Sequence, residues 1–219
     1  SFEFFMPLVH TNNVITKKEN IIYGGVDYQK QFESLLAYSN GKNIEFFDNT
    51  LFGDTLNKQL NKTTSNILFA SQINDFTGEY QTLLEDNKVK LNDSTLFLNT
   101  PIVKTSILLS QIQANDVTPK RILSTQINYT PLILKLTQTQ DRKDLIIANS
   151  ITKIDPRLRE TITVLNGDIE YDWLNYATLI GIDYLVSDSK SLVPEIKENQ
   201  VQYPVTLYRV KNNSFQKIK

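Results

Sequence analysis

The chain reads as an α/β protein with a doubly wound, mainly parallel sheet or sheets, helices on both faces and a C-terminal β-hairpin. Three observations predict it. Short apolar runs of buried-strand length recur along the 219 residues. Stretches with apolar residues at helical spacing alternate with them. The last two strand-like runs flank Asn212-Asn213, a tight-turn pair.

Taken in order, the opening residues Phe2, Phe4, Phe5 and Met6 read as an interior strand. Ile21-Ile22-Tyr23 is a strand, Gly24-Gly25 a strand-to-helix turn, and Asp27 a cap for a helix over residues 28–38. Phe32, Leu35 and Leu36 give that helix its apolar face, and Gly41 ends it. Strand 44–47 precedes helix 51–60, strand 67–70 precedes helix 76–84, and strand 95–98 precedes helix 102–112, opened by Pro101. Strand 121–124, a short helix 130–136 with Pro131, strand 144–148 and helix 156–164 with Pro156 continue the alternation. The clearest helix is 171–185, with Trp173, Ala177, Ile180 and Tyr184 at helical spacing. Strands 204–210 and 214–218 close the chain, and 85–94 is the longest weakly structured stretch. Alternating strands and helices imply a parallel sheet with right-handed crossovers. The whole of 1–219 is expected to form one α/β domain, with one lobe either reduced or lying upstream.

Composition limits the function classes. Lys and Arg number 23 against 24 Asp and Glu, a net charge of −1, so there is no overall bias toward nucleic acid or anionic lipid. The absence of cysteine excludes disulfides, thiolate metal sites and thiol nucleophiles. No apolar run has the length of a membrane span. The first residues lack a basic-then-apolar leader, so a leader or anchor would lie upstream.

Catalytic motifs are weak. His10 is the single histidine, so a Ser-His-Asp triad would have to use it, and no nucleophile elbow accompanies it. An ordinary surface or loop histidine is expected. One His without Cys is a thin basis for a metal site. Gly24-Gly25 has neither phosphate-loop nor dinucleotide spacing. Asp48, Asp54 and Asp75 lie near strand ends, where paired acids can hydrolyse glycosides, but caps and loop residues are the stronger reading. Arg157 and Arg159 are secondary candidates for holding an anion. Tyr171, Trp173, Tyr176 and Tyr184 are expected to be mostly core, with Tyr171 and Tyr176 off the Trp173 face. No catalytic residue, metal ligand or cofactor is assigned.

Open α/β sheets bind ligands beyond the carboxyl ends of their strands. Residues placed there are Gly24, Gly25, Asp27, Tyr28, Asp48, Asn49, Ser71, Asn99, Thr100, Thr125, Gln126, Asn149 and Ser150. They are small or polar, as a crevice for a polar ligand requires.

Three segments resemble the type I periplasmic-binding-protein superfamily: residues 21–28, residues 93–100 with 119–126, and residues 171–184. Within it, the similarity is to leucine/isoleucine/valine-type receptors and to the periplasmic domain of lipoprotein activators of penicillin-binding proteins. The resemblance covers about residues 20 to 219 and implies an extracytoplasmic, non-catalytic binding or regulatory module with an envelope protein as partner. The alternatives are a receptor for an amino acid or other small polar ligand, and the ectodomain of a multi-span membrane protein. A nucleic-acid partner is not expected, and a membrane would be met only through an anchor.

Overall fold

The computed structural model describes residues 2–75, 78–152, 154–211 and 213–218. Two predicted positions, the helix start at Phe76 and the turn residue Asn212, lie outside them. The elements in chain order are β1 (Phe4–Met6), β2 (Ile21–Tyr23), α1 (Tyr28–Leu36), β3 (Asn43–Asp48), α2 (Leu51–Thr63), β4 (Ile67–Ile73) and α3 (Gly78–Asp86). Next come α4 (Lys88–Leu91), β5 (Thr95–Asn99), α5 (Ile102–Ala114), β6 (Arg121–Ser124), α6 (Leu132–Leu136) and β7 (Leu145–Asn149). The last are α7 (Pro156–Val164), α8 (Trp173–Val186), β8 (Ile196–Lys197), β9 (Gln200–Val201), β10 (Thr206–Lys211) and β11 (Ser214–Lys217).

The chain forms two compact units. One contains the residues up to Asp27 and Ser150–Pro204; the other contains Tyr28–Asn149 and the residues from Val205 onward.

The first unit has a sheet ordered β1-β2-β9-β8, parallel except where β8 meets β9. Its core joins Ile22, Ile151, Tyr176, Ile180, Val201 and Tyr203, with Trp173 and Tyr184 packed against them. Asp172 caps α8 by accepting from the Asn175 amide, and Asp155 caps α7 by accepting from the Arg157 and Leu158 amides. Two expectations change here. β1 is an edge strand, not an interior one, and Phe4 is 53% exposed. Tyr176 is buried, not turned off the Trp173 face: the two rings lie three residues apart on one helical face, with centroids 5.5 Å apart.

The second unit carries the larger sheet, ordered β11-β10-β7-β6-β5-β3-β4. β4, β3, β5, β6 and β7 are mutually parallel, and the antiparallel pair β10 and β11 closes one edge through β7. One face is covered by α1 and α2, whose Phe32, Leu35, Leu56 and Leu60 meet Phe97, Leu123, Ile146 and Ala148 of the sheet. β5 and β7 are buried on every residue, as central parallel strands must be. The chain runs from β3 outward to β4, then returns past β3 to β5. The strand order therefore reverses between β3 and β5, the place where such sheets present a crevice.

Candidate functional site

The carboxyl ends of β3 and β5 bring together residues that no single motif announces. Glu45 lies on the α1/α2 face of β3 and is fully buried. Its Oε1 accepts from Asn99 Nδ2 at 2.6 Å across the strand pair. Burial raises its carboxyl pKa to about 7, only partly opposed by the Asn99 hydrogen bond. At the tip of β3, Asp48 is buried and bonded to Lys104 of α5, which also pairs with Asp75 at 2.8 Å. The same ammonium reaches the Ile73 carbonyl at 3.4 Å. The helix after β3 can start this close because Gly53 sits against it: a Cβ there would lie 2.1 Å from the Asp48 carbonyl oxygen. Thr50 caps that helix, its Oγ1 accepting from the Gly53 amide at 3.1 Å.

Beside this pair, Asn128 ties three chain segments together. Its Nδ2 donates to the Thr100 carbonyl at 3.1 Å, to Thr105 Oγ1 at 3.0 Å and to Ser124 Oγ at 2.8 Å. Ser124 Oγ donates onward to the Leu98 carbonyl at 2.7 Å, and the Thr100 and Thr105 hydroxyls meet at 2.8 Å. On the α1 side, Gln31 holds Gln126 at two points: Gln31 Nε2 donates to Gln126 Oε1 at 2.8 Å, and the backbone N–H of Gln126 donates to Gln31 Oε1 at 3.0 Å. Four buried side-chain oxygens in this region accept no hydrogen bond among the described residues: Glu45 Oε2, Asn99 Oδ1, Thr125 Oγ1 and Asn128 Oδ1.

The predicted rim residues fall as follows. Tyr28, Asp48, Asn49, Asn99, Thr100, Thr125, Gln126 and Asn149 lie in the second unit, with Asp48, Asn99 and Asn149 ending their strands. Ser71 does not lie past a strand end. β4 continues to Ile73, and Ser71 pairs mid-strand with Phe46. The apolar run at 67–70 understated that strand because Ser71-Gln72 continue it with polar side chains on an edge. Gly25, Asp27 and Ser150 belong to the first unit.

In the first unit, the backbone amides of Gly24 and Gly25 are occupied, donating to the carbonyls of Met6 at 2.8 Å and Val9 at 2.9 Å. A Cβ on Gly25 would lie 2.4 Å from the Val9 carbonyl carbon. The pair therefore serves close packing of the segment after β1. His10 is buried, not a surface residue. Its Nδ1 accepts from the Asn12 amide at 3.1 Å, and its Nε2 faces Asp27 Oδ2 at 3.7 Å. Desolvation lowers its pKa, opposed by the negative charge of Asp27. Arg159 pairs with Glu170 at 3.2 Å.

Glu45, Lys104, Asn128 and Gln31 were missed in the sequence. Only Glu45 left a signal: a carboxylate inside the apolar run Ile44-Glu45-Phe46-Phe47. The other three sit on helices or turns, where a polar residue is ordinary. Among the described residues, no group of three or more His, Asp or Glu side chains is placed to hold a metal ion. None of their helices is long and apolar enough to cross a membrane.

No family model matches the chain, and no curated protein matches it either. Solved structures do. The leucine binding protein LivK from Thermotoga maritima superposes with a TM-score of 0.67 at 13% identity, over 99% of this chain and 72% of that one. An extracellular ligand binding receptor from Desulfohalobium retbaense gives 0.70 at 15% identity, over 94% of this chain and 42% of that one. LpoA from Haemophilus influenzae gives 0.63 at 9% identity, over 98% and 43%. The fold is that of the type I periplasmic binding proteins.

Proposed function

We propose that the protein is a non-catalytic, extracytoplasmic binding module whose partner is another protein of the cell envelope. The observation that carries this reading is the filled rim at the β3/β5 strand reversal. Asn99, Thr100, Thr125 and Asn128 are fully buried, and Lys104 closes over Asp48 by bridging it to Asp75. A rim occupied by its own side chains favours recognition by an outer surface over enclosure of a solute. Such a surface is available on α8, where Leu174, Ile182, Leu185 and Val186 lie on the outward side and are 48%, 54%, 47% and 78% exposed. The test is cross-linking of the full chain in an envelope fraction. One defined partner should be captured by the native protein and lost with Ile182→Asp/Val186→Asp. Background chaperones alone, or capture equal in the variant, would defeat the reading.

A second reading, a receptor for an amino acid or similar polar solute, is favoured by the four unbonded acceptors around Glu45 and Asn128. It requires a donor-rich ligand to reach them. A thermal-shift screen of amino acids and small polar metabolites separates the two, since a solute receptor gains stability with its ligand.

A further inference from the structure

At the amino end of the second unit's sheet, opposite the rim just described, lies a shallow hollow of about 250 Å³. Arg121, Lys143, Asp144, Ile146, Arg209 and Lys211 line it. The register explains the grouping. Arg121 opens β6, Lys143 and Asp144 lead into β7, and antiparallel β10 places Arg209 opposite Ile146. These three strands are neighbours in the order β10-β7-β6. The two arginines therefore stand on strands about 10 Å apart, close enough for long side chains to converge on one small ligand.

The hollow holds four cations against one carboxylate, in a molecule whose net charge is −1. Among the described residues, none of the five enters an ion pair. Arg121 Nη1 donates to the Lys120 carbonyl at 2.7 Å, which fixes its guanidinium without neutralising it. The next carboxylate along the chain, Asp141, is occupied by Ser110 Oγ at 3.2 Å and the Gln138 amide at 2.8 Å. Among the described residues, Arg142 is buried on neutral acceptors: the Thr137 carbonyl and hydroxyl, and Asn213 Oδ1 at 2.6 Å. Its positive charge adds to the field of the same edge.

We propose that this hollow binds a phosphate-bearing ligand. Two guanidinium forks with two flanking ammonium groups suit a multiply charged tetrahedral oxyanion, since each fork donates paired hydrogen bonds to adjacent phosphate oxygens. A lone carboxylate would leave most of this charge unanswered. The site does not depend on the envelope-partner reading, which concerns other surfaces.

The test uses the full chain and two probes: inorganic pyrophosphate in titration calorimetry, and flotation with phosphatidylcholine vesicles with or without phosphatidylglycerol. Pyrophosphate should bind, more weakly as salt rises, and Arg121→Gln/Arg209→Gln should weaken it roughly tenfold per arginine. Flotation only with phosphatidylglycerol, lost in the same variant, would identify the phosphate as a lipid headgroup's and equally support the site. Should that variant misfold by circular dichroism, Lys143→Gln/Lys211→Gln, at the exposed side chains, carries the test with a smaller loss. Failure of both probes to bind, or binding equal in the variants, overturns the proposal. So does binding of a polyglutamate peptide without either phosphate probe.

Discussion

Glu45 is a carboxylate held where burial disfavours its charge. Its folded pKa, near 7, stands above the ordinary 4.5. Between those values the unfolded chain has released its proton and the folded chain still holds it, so stability falls as pH rises through that window and levels off above it. The loss is at most roughly 3 kcal/mol. Glu45→Gln should abolish the slope, matching the native protein at pH 4 and exceeding it at pH 8 in urea denaturation. A slope unchanged in the variant would mean that another group titrates. His10 acts in the opposite sense. Its depressed folded pKa costs stability as pH falls through 6.5, so the comparison must be made between variant and native at each pH. Asn128→Ala should cost roughly 2–4 kcal/mol in the same assay, because it leaves the buried Thr100 carbonyl and the Ser124 and Thr105 hydroxyls without their shared donor. Residues of this kind are the least legible in a sequence. Asn99 and Thr125 were located by their position after an apolar run, but Asn128 and Gln31 acquire their roles through partners 23 to 95 residues away.

Elements were legible wherever periodicity was long enough to register. The runs at 95–98 and 121–124 are β5 and β6, and the spacing of Trp173, Ala177, Ile180 and Tyr184 is α8. β8 and β9 are two residues each, too short to show any period, and they exist because they pair with each other and β9 pairs with β2. α4 lies inside the stretch read as weakly structured, since Lys88-Val89-Lys90-Leu91 offers one turn with a single buried residue. The fit of elements is tight at two glycines. Gly25→Ala would drive a methyl into the Val9–His10 backbone, and Gly53→Ala into the carbonyl of Asp48. Each should lower stability by roughly 1–3 kcal/mol or more. Calorimetric melting of each variant measures this, and a variant melting with the native protein would show that the backbone there moves aside at little cost.

For the molecule as a whole, the two units are interleaved along the chain, which passes between them after Asp27, Asn149 and Pro204. β10 pairs with β7 over Thr206 to Arg209, and Val205, Leu207 and Ile218 pack against the core. A chain ended after Pro204 would therefore expose the edge of β7 and part of the apolar face. It is expected to aggregate or to lose its cooperative melt, as size-exclusion chromatography and calorimetry would show. The near balance of charge predicts a solubility minimum near pH 5.9, measurable by light scattering across pH.

The same interleaving sets the order of events during synthesis. β2 pairs with β9 through Tyr23 and Gln200, and Gln200 Nε2 donates to the Gly25 carbonyl across 175 residues of chain. At ribosomal speeds that interval lasts on the order of ten to thirty seconds. Throughout it, Ile21, Ile22 and Tyr23 have emerged without the strand that completes their sheet, while β3 to β7 can already associate. The nascent N-terminal segment is therefore where a holding chaperone would find its longest opportunity.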